Sequence, residues 1–115
     1  MPLNSVPATV NMPALEYERL FAAQNAFVDI GFRGGAVPGN KEDLRPPHDD
    51  GVYDFKCFLL HSGVDEFPHL EADEMAEALA EIKTFNSLLI VHAEDSRTID
   101  KAPQPNGDVY DTFLK

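Results

Sequence analysis

Residues Val52–Leu60 read VYDFKCFLL, an apolar strand with one lysine, Lys56, at its centre. A charge inside a buried strand is costly, so it is usually paired or neutralised. Side chains alternate along a strand. Asp54, Lys56 and Phe58 therefore share one face, and Phe55, Cys57 and Leu59 share the other. The second set suits packing under helices. The Lys56 face is then a barrel interior or the site-facing side of a sheet. About 36 positions on, Ser87–Val91 (SLLIV) is short, apolar and tightly bounded, as expected of a parallel strand covered on both faces. It delivers His92 at its exit, on the side of Ile90 and Leu88. A lysine and a histidine at the same end of neighbouring parallel strands, about 4.7–4.9 Å apart, can converge on one metal ion.

Between these runs lies the best helix pattern of the chain. It starts near Glu71, with Asp73 and Glu74 favouring its N-terminus. Met75, Leu79, Ile82 and Phe85 form its core face, and Asn86 is its stop. Upstream, MPLNSVP reads as a strand end opening into a loop. Asn11 offers an N-cap, Pro13 fits a first turn, and Tyr17, Leu20 and Phe21 suggest a buried helical stripe. Ala26–Phe32 is the next apolar run and ends in RGGAVPGN, whose Gly34, Gly35 and Gly39 read as flexible turn positions. A short helix around Lys41–Leu44 is interrupted by Pro46 and Pro47. After Asp95 the composition reads as loop. The order is β-α-β-α-β-α-β, an α/β pattern of parallel strands with helices outside the sheet.

The chain has 115 residues, enough for one small domain, residues 1–115. No run nears the roughly 18 apolar residues of a membrane helix, and no basic, apolar leader opens it. These features predict a soluble protein with no membrane partner. One cysteine, Cys57, excludes an internal disulfide and suits a reducing cytosol. A net charge of −11 argues against nucleic acid, which calls for clustered Lys and Arg.

The residues alone leave two readings of Lys56 open. It is a structural lysine paired with a carboxylate, Asp54 being the nearest candidate, or it is a site residue. An ordinary lysine amine is protonated near pH 7 and a poor metal ligand until it loses that proton. His92 is likewise a hydrogen-bonded rim residue or a ligand. His61 and His69 flank a loop and read as surface histidines, His48 has no ligand pattern near it, and Cys57 reads as a packed core thiol. The glycines of RGGAVPGN lack the spacing of a phosphate loop.

MPLNSVPATV, DFKCFLLHSGVDEFPHL and LLIVHAED, in this order, closely resemble bacterial allantoinases, cyclic amidohydrolases related to hydantoinases and dihydroorotases. The resemblance covers nearly the whole chain. It implies a (β/α)8 barrel with its site at the C-terminal strand ends, of which this chain is a piece, strands two to five. It implies that Lys56 is carboxylated on its amine and bridges two zinc ions, and that His92 ligates one of them. The family reaction is attack of a metal-bridging hydroxide on the ring amide of allantoin, giving allantoate. Asn4 and Ser62 are carried over as substrate-binding candidates. The family's His-x-His pair, a further metal histidine and the proton-handling aspartate have no counterpart here, so no catalytic residue is assigned. The isolated chain is expected to be inactive, and the full-length parent a cytoplasmic homo-oligomer, a tetramer. Asp54 departs from the small residue common in the family and would compete with carboxylation by holding Lys56 as an ammonium. A hydantoinase-like or dihydroorotase-like specificity is the alternative within the class. Outside it stands a small doubly wound binding module, which would need an acidic cluster at an early strand exit. The exits here read PLN and FRGG.

Overall fold

The computed structural model describes residues 5–103 and 106–107. They form an α/β layer: helix α1 (Met12–Asn25), strand β1 (Gly34–Gly35), a 3-10 turn (Lys41–Asp43), helix α2 (Arg45–Asp49), strand β2 (Phe55–Phe58), helix α3 (Ala72–Thr84), strand β3 (Leu89–His92) and helix α4 (Ser96–Ile99). The strands lie in the order β1-β2-β3, and both pairings are parallel. Phe55 pairs with Leu89, Lys56 with Ile90, Cys57 with Val91 and Phe58 with His92.

The alternation expected along β2 is present. Phe55 and Cys57 face a core built with Leu15, Leu44, Leu70, Ala78 and Ile82, and Leu59 packs against it. Phe58 faces a smaller cluster on the other side, with Ala8 and Phe67. Helix α3 begins where predicted. The Glu71 backbone N–H donates to the Glu74 carboxylate at 2.8 Å, one half of a capping box. Asn86, at φ 55°, takes the left-handed conformation that ends helices. Of the predicted core face, Ile82 is buried, Met75 and Phe85 pack on the core, and Leu79 is exposed.

Several expectations are corrected. Ala26–Phe32 is not a strand. Phe27, Val28 and Ile30 are exposed, and the Phe32 carbonyl accepts from the N–H of Tyr53, two residues before β2, at 3.1 Å. The strand is the glycine pair instead, paired with β2, its Gly34 N–H donating to the Asp54 carbonyl at 2.9 Å, and it must be glycine because ring atoms lie where side chains would be. A Cβ on Gly34 would meet Phe55 at 2.4 Å, and one on Gly35 would meet Phe67 at 2.6 Å. Asn40 holds the end of this segment. Its amide donates to the Val10 and Gly35 carbonyls and accepts from Val37 N–H. Pro46 and Pro47 do not interrupt a helix but start α2, where a missing N–H costs nothing. The strand predicted over Val52–Leu60 is only Phe55–Phe58, and β3 includes His92. As an edge strand, β3 is half-buried and not covered on both faces. The segment after Asp95 holds α4, whose first turn is capped by the Asp95 carboxylate accepting from Thr98 N–H at 2.8 Å. The Tyr17, Leu20 and Phe21 stripe is exposed. Helix α1 docks through Ala14 and Leu15, and no described element covers its outer face. The first strand predicted, at MPLN, lies outside the described residues.

Candidate functional site

The parallel register puts Lys56 and Phe58 of β2, and Ile90 and His92 of β3, on one face of the sheet. Lys56 is half-buried, and its Nζ sits 4.9 Å from the centre of the Phe58 ring, a cation–π arrangement. The His92 ring lies 5.6 Å from the same ring, centre to centre, tilted by 33°. Phe58 is 4% exposed, and the Phe67 ring meets it edge-on at 5.3 Å. The two residues singled out from sequence thus share a face at the C-terminal end of neighbouring strands, on either side of one buried ring. Strand alternation places Phe58 on the Lys56 face from the sequence alone, but its contact with His92 depends on the register with β3.

The lysine is not paired with Asp54. The buried Asp54 carboxylate lies 3.1 Å from Arg33 Nε, and among the described residues no carboxylate is within 4.0 Å of Lys56 Nζ. Arg33 brings its charge from the segment entering β1. Its N–H does not point at Asp54 Oδ1, so the contact is an ion pair without an aligned hydrogen bond. Nothing in the sequence signals this pairing, because the two residues meet only once β1 and β2 lie side by side.

His92 leaves its side chain 44% exposed, with Nε2 3.6 Å from Glu94. Ser62 donates its hydroxyl to the carbonyls of Phe67, at 2.7 Å, and Val64, at 3.0 Å. It holds the loop that carries Phe67. Asn4 lies outside the described residues. His61 and His69 are apart from the pair, near Asp65 and Glu71 respectively. Glu71 also accepts from Arg97 Nε at 2.8 Å, tying the loop after β2 to α4. That contact holds the Arg97 guanidinium above its ordinary range, and the Thr98 hydrogen bonds hold the Asp95 carboxyl below its own. Cys57 faces away from this group. Burial pushes its thiol up to about 11, against the opposing effect of Lys56, which makes it a poor nucleophile at neutral pH.

Among the described residues no three His, Cys, Asp or Glu side chains gather as a metal site. Lys56 and His92 are the two side chains here that could contribute to one, the lysine only once its amine has lost its proton. Both lie on one sheet face, the lysine has no described carboxylate partner, and the histidine side chain is partly exposed with Nε2 beside Glu94. Further donors would have to join them.

An allantoinase of Streptomyces avermitilis is 53% identical to this chain over 99% of it. The chain is homologous to the allantoinases. A mitochondrial allantoinase of Aquarana catesbeiana is 40% identical and one of Saccharomyces cerevisiae 37% identical, each over 99% of the chain. The chain spans about a quarter of the length of these relatives, 26%, 24% and 25% in turn. The L-hydantoinase (dihydropyrimidinase) of Arthrobacter aurescens superposes on 83% of the chain and 21% of its own, with a TM-score of 0.78 and 33% identity. The allantoinase homologue thus has the local fold of a hydantoinase segment. No family model matches the chain.

Proposed function

We propose that this chain is a segment of an allantoinase, strands two to five of a (β/α)8 barrel, which opens the cyclic amide of allantoin to allantoate. The observation that carries this reading is the placement of Lys56 and His92 on one face, at one end of adjacent parallel strands, in a chain homologous to allantoinases throughout. The exposed apolar residues Tyr17, Phe21, Phe27, Val28 and Ile30, on α1 and the segment leading to β1, support a fold that continues beyond this layer.

In the completed site, Lys56, carboxylated on its amine, and His92 would hold zinc, two ions per site. Bound zinc would lower the pKa of water and polarise the ring carbonyl. The chain's own part is to hold the two ligands. Phe58, held by Phe67, lies beside both residues and holds the lysine amine before its carboxylation, and Arg33 occupies the Asp54 carboxylate that would otherwise compete for Lys56. The remaining ligands and the proton-handling aspartate would come from other parts of the barrel, and no turnover is expected from this segment by itself. The single, buried cysteine suits a reducing compartment, and a homotetrameric parent in the cytosol is proposed. No helix among the described residues is long and apolar enough to cross a membrane.

The likeness to the hydantoinase favours a second reading, in which the ring opened is a hydantoin. A chimera tests both: the S. avermitilis allantoinase with its homologous segment replaced by this chain. Turnover of allantoin, lost in Lys56→Ala and in His92→Ala, is expected. Turnover of hydantoin with none of allantoin would shift the assignment to the second reading. A folded chimera inert toward both would overturn the proposal.

A further inference from the structure

We infer that Phe58 is the positioning residue that sets where Lys56 and His92 lie relative to one another, an inference that rests on the metal-site reading above only for its purpose. Three observations carry it. The Phe58 ring contacts both residues, with Lys56 Nζ at 4.9 Å and the His92 ring at 5.6 Å from its centre. It is itself immobilised, buried against Ala8 and met edge-on by Phe67 at 5.3 Å. Phe67 is in turn fixed from two sides. The Ser62 hydroxyl donates to its carbonyl at 2.7 Å, and Gly35 leaves the space its ring occupies.

A lysine chain has four rotatable bonds and an exposed histidine has two, so neither is placed by its backbone alone. The electron-rich ring face gives the unmodified, cationic lysine head, the form that precedes carboxylation, one preferred resting place. The tilted stacking does the same for the imidazole. A leucine at position 58 would fill much of the volume but offer no ring face. A tyrosine would keep the face. Ser62 thus acts through Phe67 and Phe58, at the end of a chain of contacts running from loop to site.

The test uses the 115-residue chain labelled with 13C at lysine Cε and histidine Cε1, whose selective NMR signals remain readable if the chain self-associates. In the wild type the Lys56 Hε signal, assigned by its loss in Lys56→Arg, is expected upfield of those of Lys41, Lys83, Lys101 and Lys115, because it lies over a ring face. Phe58→Leu is expected to return it to the common position and to shift the His92 signal, while Phe58→Tyr keeps both in place. A Lys56 signal that coincides with the other lysines in the wild type, or that Phe58→Leu leaves unmoved, overturns the inference. Should Phe58→Leu fail to fold, the wild-type and Phe58→Tyr spectra decide it alone. Added zinc separates the two claims. If zinc moves neither signal in the chimera while the Phe58 dependence persists, the metal reading falls and the positioning role stands.

Discussion

Replacing Gly34 by alanine sets two opposed effects against each other. Alanine narrows the unfolded ensemble and would by itself stabilise by about 0.4–1 kcal/mol. In the folded chain its Cβ would lie 2.4 Å from Phe55 Cε1 and 2.6 Å from Cδ1. Carbon atoms pack best about 3.5–4.0 Å apart, so the ring would have to retreat by roughly 1 Å. Phe55 is 1% exposed, packed among Leu15, Leu44 and Ile82, with the Phe85 ring 6.0 Å away. Overpacking a core of this kind costs about 1–3 kcal/mol. The steric effect wins, leaving a net loss of about 1–2 kcal/mol. For a domain of this size that lowers the melting temperature by roughly 4–16 °C. Thermal unfolding followed by circular dichroism reads the change. Phe55→Leu in the same chain should recover part of the Gly34→Ala loss, which a double-mutant cycle would show as a favourable coupling. A Gly34→Ala variant that melts at or above the wild type would refute the claim that ring packing selects glycine here.

Leu15→Ala, at a fully buried site, is expected to cost about 2–5 kcal/mol in urea titrations, and Leu20→Ala, on the exposed face of the same helix, less than about 0.5. The Cys57 thiol has its pKa raised from 9.0 to about 11, so its contribution to stability is complete below pH 9 and is lost as pH rises toward 11. Cys57→Ala should flatten the fall in melting temperature across that window. Arg33→Met strands the buried Asp54 carboxylate and should cost about 1–2 kcal/mol, a modest figure because Arg33 is partly exposed. Asp54→Asn added to it should recover most of the loss, and a single variant as stable as the wild type would dismiss the pair as a support of β1 on β2.

The β2 pattern was legible because alternation is a local property. Phe55 and Cys57 on one face and Lys56 and Phe58 on the other follow from the strand alone, and the register with β3 then brings His92 alongside. Helix α3 was legible for the same reason, from its capping carboxylates to Asn86. What the sequence hid depends on neighbours. Gly34 and Gly35 carry no pattern of their own; backbone pairing with β2 makes them a strand, and the rings of Phe55 and Phe67 require them to be glycine. The helical stripe of Tyr17, Leu20 and Phe21 and the apolar run Ala26–Phe32 look buried because hydrophobicity reports the need for a partner, not its presence. The Arg33–Asp54 pair and the Phe58 seat are tertiary facts, and both change how Lys56 is read: Asp54 is engaged elsewhere, and the lysine nitrogen rests on a ring.

The claim that Lys56 and His92 are ligands of one metal site is tested most directly by anomalous diffraction from the zinc-loaded chimera grown with bicarbonate. A carboxylated Lys56 bridging two metal peaks is expected, with a His92 ring nitrogen bound to one of them at about 2.0–2.1 Å. Full metal occupancy with Lys56 unmodified over the Phe58 ring, and His92 turned to Glu94, would contradict it.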